Sequence, residues 1–400
     1  MRERRPGQTD YAGVARLGVS RADPAADQRT MGLHKRLSAA VVGVLVASAI
    51  TIAPFASATT TQTYSADTIS AVRDESQWIL GAQLADGAIA NYTDKVAVWP
   101  YLANYAAIGL ARATKVTGDP SYLSAAWRWL TWYQSHETSA GFVTDYTIST
   151  DGVEVSTGDM DSTDAYAGTF LYAVWTAYRV KNDRASLKRL APGVNGAVRA
   201  IEATLDGDGL TWAKPSYHVK YLMDESEVFA GLRAASNILS TLGDKSGSSR
   251  TAAEASGVKA GVGGLWNPVL QAYDWAVHAD GTHQVTTWST FYPDALEQTW
   301  AVAYGLTDSA RASQLIGTFT QLHPYWDQPA SIWYSNGSPQ PVNYWPVVGW
   351  ALDAAGQSAA AATGAASIRS GALNAGRAWP YTPGISGQLG VLVSGGPDLP

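Results

Sequence analysis

The chain has 400 residues, 46% of them hydrophobic and only 16% charged, with a formal net charge of −6 and no cysteine. That composition supports a large buried core; it excludes a disordered chain, a disulfide framework and thiolate chemistry. Sixteen Trp and twenty Tyr against six Phe favour rings that are apolar on the face and polar at the tip, which suits surfaces that stack on something polar.

Residues 1–30 are polar and without period, and read as an over-extended N-terminal extension. A signal-peptide pattern then runs over 31–58: a basic start "MGLHKR", an apolar core "LSAAVVGVLVASAITIAPF", and the small-residue site "ASA", with cleavage expected after Ala58. Residues 1–58 hold eight of the 28 Lys/Arg and four of the 34 Asp/Glu, so the mature chain carries 20 basic and 30 acidic side chains. A net charge near −10 argues against phosphate-backbone ligands. No later apolar run is long enough to span a bilayer, so a secreted protein, off the membrane after cleavage and acting as a monomer, is expected.

After a leader at 59–65, apolar residues recur at i, i+3, i+4 spacing and predict helices near 66–83, 100–116, 120–137, 161–181, 185–205, 224–241, 248–265, 294–306, 309–323, 346–355, 359–373 and 384–393. The connections alternate strictly. Those at 84–99, 138–160, 206–223, 266–293, 324–345 and 374–383 are long; "TGD", "KND", "LGDKSG", "TD" and "GQS" are short. Short links join antiparallel neighbours, so every long loop lies at one end. Two concentric rings of six helices, an all-α (α/α)6 barrel in a single domain over 66–395, satisfy this layout. The long loops also hold hairpin signals, "GLTWAKPSYHVKYLMD" and "AYDWAVHADGTHQVTTW", the second with "ADGT" as its turn.

Aromatic side chains collect in those loops. Trp99, Tyr101, Trp212, Tyr217, Trp288, Tyr292, Trp333 and Trp345 are the candidate substrate-binding rings. A Trp/Tyr-lined acidic cleft fits a carbohydrate, whose C–H patches lie on aromatic faces, and fits nucleic acid poorly, since few basic groups would meet the phosphates. Three helices that follow long loops begin alike, "DSTDAYAG", "DESEVFAG" and "DALEQTWA". Capping by the first acid accounts for the spacing, yet the helices on the other ring begin "PSYL", "RASL" and "SARA". The ring assignment therefore gathers Asp161, Asp164, Asp224, Glu227, Asp294 and Glu297 at one opening, with Asp86 joining them from the first long loop.

"QLADGAIANYTDKVAVWPYLANYAAIGLARA", "DSTDAYAGTFLYAVW", "DESEVFAGL" and "FYPDALEQTWAVAYGL" resemble the six-hairpin glycosidase superfamily of exported (α/α)6 proteins, over roughly 66–355. The resemblance implies hydrolysis of glycosidic bonds, usually inverting, by two carboxyl groups in the barrel-end cleft. Asp161 and Asp164 are expected to serve together on one side, as base and sugar-hydroxyl ligand; Asp161 as base and Asp86 as acid are the first candidates, with Asp224, Glu227 and Asp294 in reserve. A polysaccharide lyase on the same barrel would instead use Tyr217 or His218 beside Lys214 and Lys220, a sugar epimerase is a further alternative on this fold, and a non-catalytic carbohydrate-binding protein would need only the rings. No HExxH, Gly-rich phosphate loop or GxSxG occurs, "DGDG" at 206–209 lacks the later ligands of a calcium loop, and neither metal nor cofactor is expected.

Overall fold

Aspartates at the ends of the short links begin the helices of the outer ring. Asp119, Asp183, Asp244 and Asp308 each accept a backbone N–H of the turn they open, which satisfies donors that a helix start leaves bare. The computed structural model describes residues 63–328 and 343–400. The signal-peptide reading of 31–58 and the ring Trp333 lie outside the described residues.

The helices follow in order: α1 Ala66–Ala82, α2 Pro100–Thr117, α3 Pro120–Ser135, α4 Thr163–Lys181, α5 Arg184–Arg189, α6 Ala191–Glu202, α7 Leu222–Leu242, α8 Lys245–Gly264, α9 Asp294–Ala303, α10 Ser309–Leu322, α11 Pro346–Ala354, α12 Ser358–Asn374 and α13 Pro383–Val393. The fifth predicted helix is two pieces. Pro192 has no N–H to continue the ladder across Leu190, so α5 stops and α6 restarts with proline in its first turn.

Each helix that follows a long loop packs against the next of its kind: α2 on α4, α4 on α7, α7 on α9, α9 on α11, α11 on α13, and α13 back on α2. This closed inner ring is sheathed by α1, α3, α5–α6, α8, α10 and α12, so the predicted two-ring (α/α)6 layout holds. The burial patterns separate the rings. Every residue of α4 from Thr163 to Ala177 is buried, whereas α12 buries only Ala361, Gly364, Ala365, Ile368 and Ala372 along one stripe, as all-round and one-sided helices require. Among the described residues no helix is long and apolar enough to cross a membrane.

Two inner seams are made by glycines. A Cβ on Gly109 of α2 would sit 2.3 Å from the Cα of Gly387 on α13, and one on Gly231 of α7 would sit 2.5 Å from the Cα of Gly168 on α4. Gly109→Ala is expected to cost about 1–3 kcal/mol through forced separation of α2 and α13, measured by urea denaturation; a cost near zero would show that the seam yields freely.

The strands lie in the long loops. β1 Ala97–Val98, β2 Tyr146–Ile148 and β3 Glu154–Ser156 form one antiparallel sheet. β5 Trp266–Asn267 pairs with β6 Ala272–Tyr273. The "ADGT" hairpin is present as β7 Ala276–His278 and β8 His283–Gln284, with Gly281 at φ 79° in the turn. The other predicted hairpin is replaced. Residues 211–217 make only isolated bridges, and β4 Val219–Tyr221 pairs across to β7 in the next loop. Inter-loop sheets tie the loops of the site end together.

Candidate active site

The inner helices point their N-termini at the long loops, and none of their aspartates caps its own helix. Ser162 caps α4 by accepting the Ala165 N–H, while Tyr221 and Pro293 stand at the N-caps of α7 and α9. The acids read as caps therefore do other work.

Asp164 is fully buried. Its Oδ1 accepts the Ser162 hydroxyl at 2.5 Å and the Ala165 N–H at 2.8 Å, and its Oδ2 accepts the Thr211 hydroxyl at 2.7 Å. Asp224 is half-buried, and its Oδ2 lies 3.1 Å from the same Ser162 Oγ. Burial raises the Asp224 carboxyl well above the usual carboxylate range, and Asp164, Glu227, Asp161 and Glu297 push the same way. Asp161 reaches solvent, yet desolvation by the surrounding walls raises its carboxyl, Lys214 opposing and Asp159 adding. Lys214 Nζ itself sits 2.9 Å from Asp159.

Glu227 lies one turn below Asp224 on α7. Its Oε1 takes the Tyr101 hydroxyl at 2.7 Å, the Trp300 indole N–H at 3.0 Å and the Tyr105 hydroxyl. Burial raises its carboxyl to about 7 against those bonds. The partners come from α2 and α9, so this group bridges the inner ring.

Other expected residues are placed elsewhere. Asp86 does not join the cluster: its Oδ1 accepts the Ala88 N–H, and its carboxyl neighbours Glu154, which is bonded to Trp132 on α3. The close pack of Gly87 on the Arg128 backbone pins that loop to the outer ring. Asp294 accepts the Thr287 N–H at 2.7 Å and Glu297 accepts the Met223 N–H at 3.1 Å, so both brace backbone around the site. Trp212 lies 4.0 Å under Lys220 Nζ, and Lys220 binds Asp206 and Asp208, both acids of the "DGDG" turn, at 2.7 Å each. With His218 on the Pro215 carbonyl, the basic residues weighed for a lyase are engaged.

The remaining rings pair with one another or with neighbouring rings. Tyr101 stacks on Tyr166 at 6.0 Å, Tyr221 on Trp275 at 6.1 Å, and Tyr292 on Trp345 at 5.6 Å. Trp99 meets Trp379 edge-on, and the Tyr217 hydroxyl lies 3.1 Å from that of Tyr221. Trp288 is spent on structure, its indole N–H bonding the Leu270 carbonyl.

Sequence reasoning missed Asp145, Ser162, Thr211 and Glu225. Asp145 accepts the Tyr166 hydroxyl at 2.8 Å beside Asp161, and burial raises its carboxyl to about 7. A lone acid in a loop carries no signal, and Asp161 concealed the cap one residue on. Glu137, packed where a Cβ on Gly196 would strike it, is raised to about 8 by burial.

These raised carboxyls fix a sign. Each binds its proton more tightly folded than unfolded, so its stabilising contribution is complete below the ordinary carboxylate range and is lost as pH rises through the folded value. The melting temperature is expected to fall between about pH 5 and about pH 8, and Glu137→Gln to flatten part of that fall in a pH series of thermal melts.

No family model and no curated protein matches the chain. Solved structures do. A GH63 mannosylglycerate hydrolase from Thermus thermophilus with bound glucose is similar at 13% identity and TM-score 0.57, over 80% of this chain and 99% of that one. A wild-type glycosidase aligns at 16% identity and TM-score 0.56, over 82% and 97%. A rhamnosidase from Klebsiella oxytoca with bound rhamnose aligns at 12% identity and TM-score 0.55, over 78% of this chain and 57% of that one. The likeness shows the fold alone: the chain shares the two-ring helical architecture of these solved structures.

Proposed function

We propose that this chain is an exported glycoside hydrolase that cleaves a poly- or oligosaccharide with inversion, Asp224 acting as general acid and Asp161 as general base. One observation carries the reading. Ser162 has a single hydroxyl proton within reach of two carboxyls, Asp164 and Asp224, and Asp164 already collects two further donors. A second proton is needed to satisfy the pair, and Asp224, the partly solvent-facing member, is where it is useful.

Hydrolysis then balances. The Asp224 proton passes to the glycosidic oxygen as the bond to the anomeric carbon breaks. Water adds to that carbon from the opposite side and gives its proton to the Asp161 carboxylate. Stacked rings on Tyr101, Tyr221 and Trp345 supply faces for the sugar, and the glycosidase fold agrees. Export rests on the signal-peptide pattern over 31–58.

The test is to incubate the mature protein with a panel of neutral, amino and uronic glycans and follow new reducing ends, with proton NMR for the anomer first formed. New ends of inverted configuration are the expected result. Binding across the panel without products would overturn hydrolysis in favour of a binding protein, and unsaturated products would replace it with elimination.

A further inference from the structure

Below the cleft, three carboxyls and two hydroxyls alternate: Asp224, Ser162, Asp164, Thr211, Glu225. Asp164 and Glu225 are both fully buried. Ser162 Oγ is 2.5 Å from Asp164 and 3.1 Å from Asp224; Thr211 Oγ1 is 2.7 Å from Asp164 and 3.2 Å from Glu225. Each hydroxyl has one proton to give, and both have their shorter contact to Asp164. With the Ala165 N–H, that places three donors on one carboxylate.

Glu225 is the opposite case. Its Oε1 accepts the Thr211 N–H at 2.6 Å, while its Oε2 has no partner among the described residues. A bare oxygen in a dry site is costly as part of an anion and far less so as an acid O–H.

We propose that Asp164 is the single anionic hub of this string, and that Ser162 is a positioning residue turning its proton to Asp164 and its lone pairs to Asp224, so that Asp224 holds the transferable proton. Asp224 and Glu225 are then neutral acids on either side of one charge. Burial raises all three carboxyls; for Asp164 the bonds from Ser162, Thr211 and Ala165 oppose it, while Asp224 and Glu225 stand well above the ordinary range. Among the described residues, the other ionisable groups facing the string include the carboxyls of Asp161 ahead of α4, Glu227 on α7 and Glu297 on α9, Lys220 on β4, and the phenols of Tyr101 on α2 and Tyr221 on β4. The three acids among them surround Asp224 and favour its neutral form; the lysine lies toward Glu225. The role given to Asp224 rests on the hydrolase reading, but the protonation pattern does not.

The pattern makes a signed prediction. If Ser162 presents lone pairs to Asp224, Ser162→Ala removes an acceptor from the acid form, and Asp224 loses its proton at lower pH. If Ser162 instead donates to Asp224, the same change moves it to higher pH. The measurement is carbon-13 NMR of the full mature chain labelled at aspartate carboxyls, with the Asp224 resonance assigned by its loss in Asp224→Asn. The expected result is a titration lower by about one pH unit, a tenfold change in the proton equilibrium, in Ser162→Ala, with Ser162→Thr near wild type. Ser162→Gly, which removes the same hydroxyl while leaving a residue that still serves as an N-cap, is expected to move it the same way. It serves if Ser162→Ala does not fold.

A resonance that rises or stays put in whichever variant folds overturns the string, whatever the activity. If the wild type cleaves no glycan while the resonance moves down, the hydrolase reading falls and the string stands. If glycans are cleaved, the alkaline limb of kcat/KM is expected to shift with the resonance; a limb that stays in place overturns the string's control of the acid.

Discussion

Asp224→Asn lowers glycan hydrolysis by about a thousandfold, within the range that positioned general acids supply, while leaving the melting temperature close to wild type. The amide keeps the shape of the carboxyl and a contact to Ser162, but has no acidic proton for a departing alkoxide. The deficit should therefore depend on the leaving group. An aryl glycoside whose phenol departs unprotonated is expected to recover most of the loss, and an alkyl or sugar leaving group none of it. Reducing-sugar release against aryl-glycoside release gives the comparison. Equal losses on both would take the acid role from Asp224, leaving it a binding residue. Asp294→Asn, by contrast, weakens a brace that accepts the Thr287 N–H, and is expected to reduce stability before it reduces rate.

Glu75→Ala is the variant with the largest expected cost in stability. Glu75 is buried in α1, yet its carboxylate receives Arg377 at 2.9 Å and the Tyr381 hydroxyl at 2.6 Å from the segment leading into α13, and the Ser386 hydroxyl at 2.7 Å from α13 itself. Those bonds join the first outer helix to the last inner one and close the circle. Truncation leaves the Arg377 guanidinium and the Tyr381 hydroxyl without this acceptor, while Ser386 keeps the Glu75 carbonyl at 3.1 Å; such a change in buried pairs costs about 3–5 kcal/mol. Chemical denaturation should register it as a lower midpoint. Glu75→Gln retains an acceptor and is expected to lose less. A Glu75→Ala midpoint matching wild type would mean that packing alone closes the ring.

The ring order was legible because it depends on the lengths of connections, which a sequence displays directly. The same is true of the "ADGT" turn, where Asp280, Gly281 and Thr282 act within four residues. The site was legible in its parts and not in its wiring. Asp161, Asp164, Asp224 and Glu227 do meet, because helix periodicity and ring position bring them to one end. Asp86 does not, since its loop is pinned by contacts to Arg128 and Glu154 that lie far along the chain. The α4 cap assignment failed by one residue: serine and aspartate cap about equally well, so "DST" left Ser162 and Asp161 indistinguishable. The outer ring looked free of acids only because its helices were read from the residue after each aspartate cap. Pairing of β4 with β7 joins two different long loops, and nothing local announces it.

Gly168 follows Asp164 by one turn on α4, and Gly231 follows Glu227 by one turn on α7, so the glycine seam lies directly under the acids. With no side chain as spacer there, two backbones nearly touch, and that is what lets one serine reach carboxyls on both helices. Acidity in this cleft is thereby coupled to a mechanical dimension. A methyl group added at Gly231 would act as a wedge, prising Asp164 from Asp224 and retuning the proton without altering any ionisable residue.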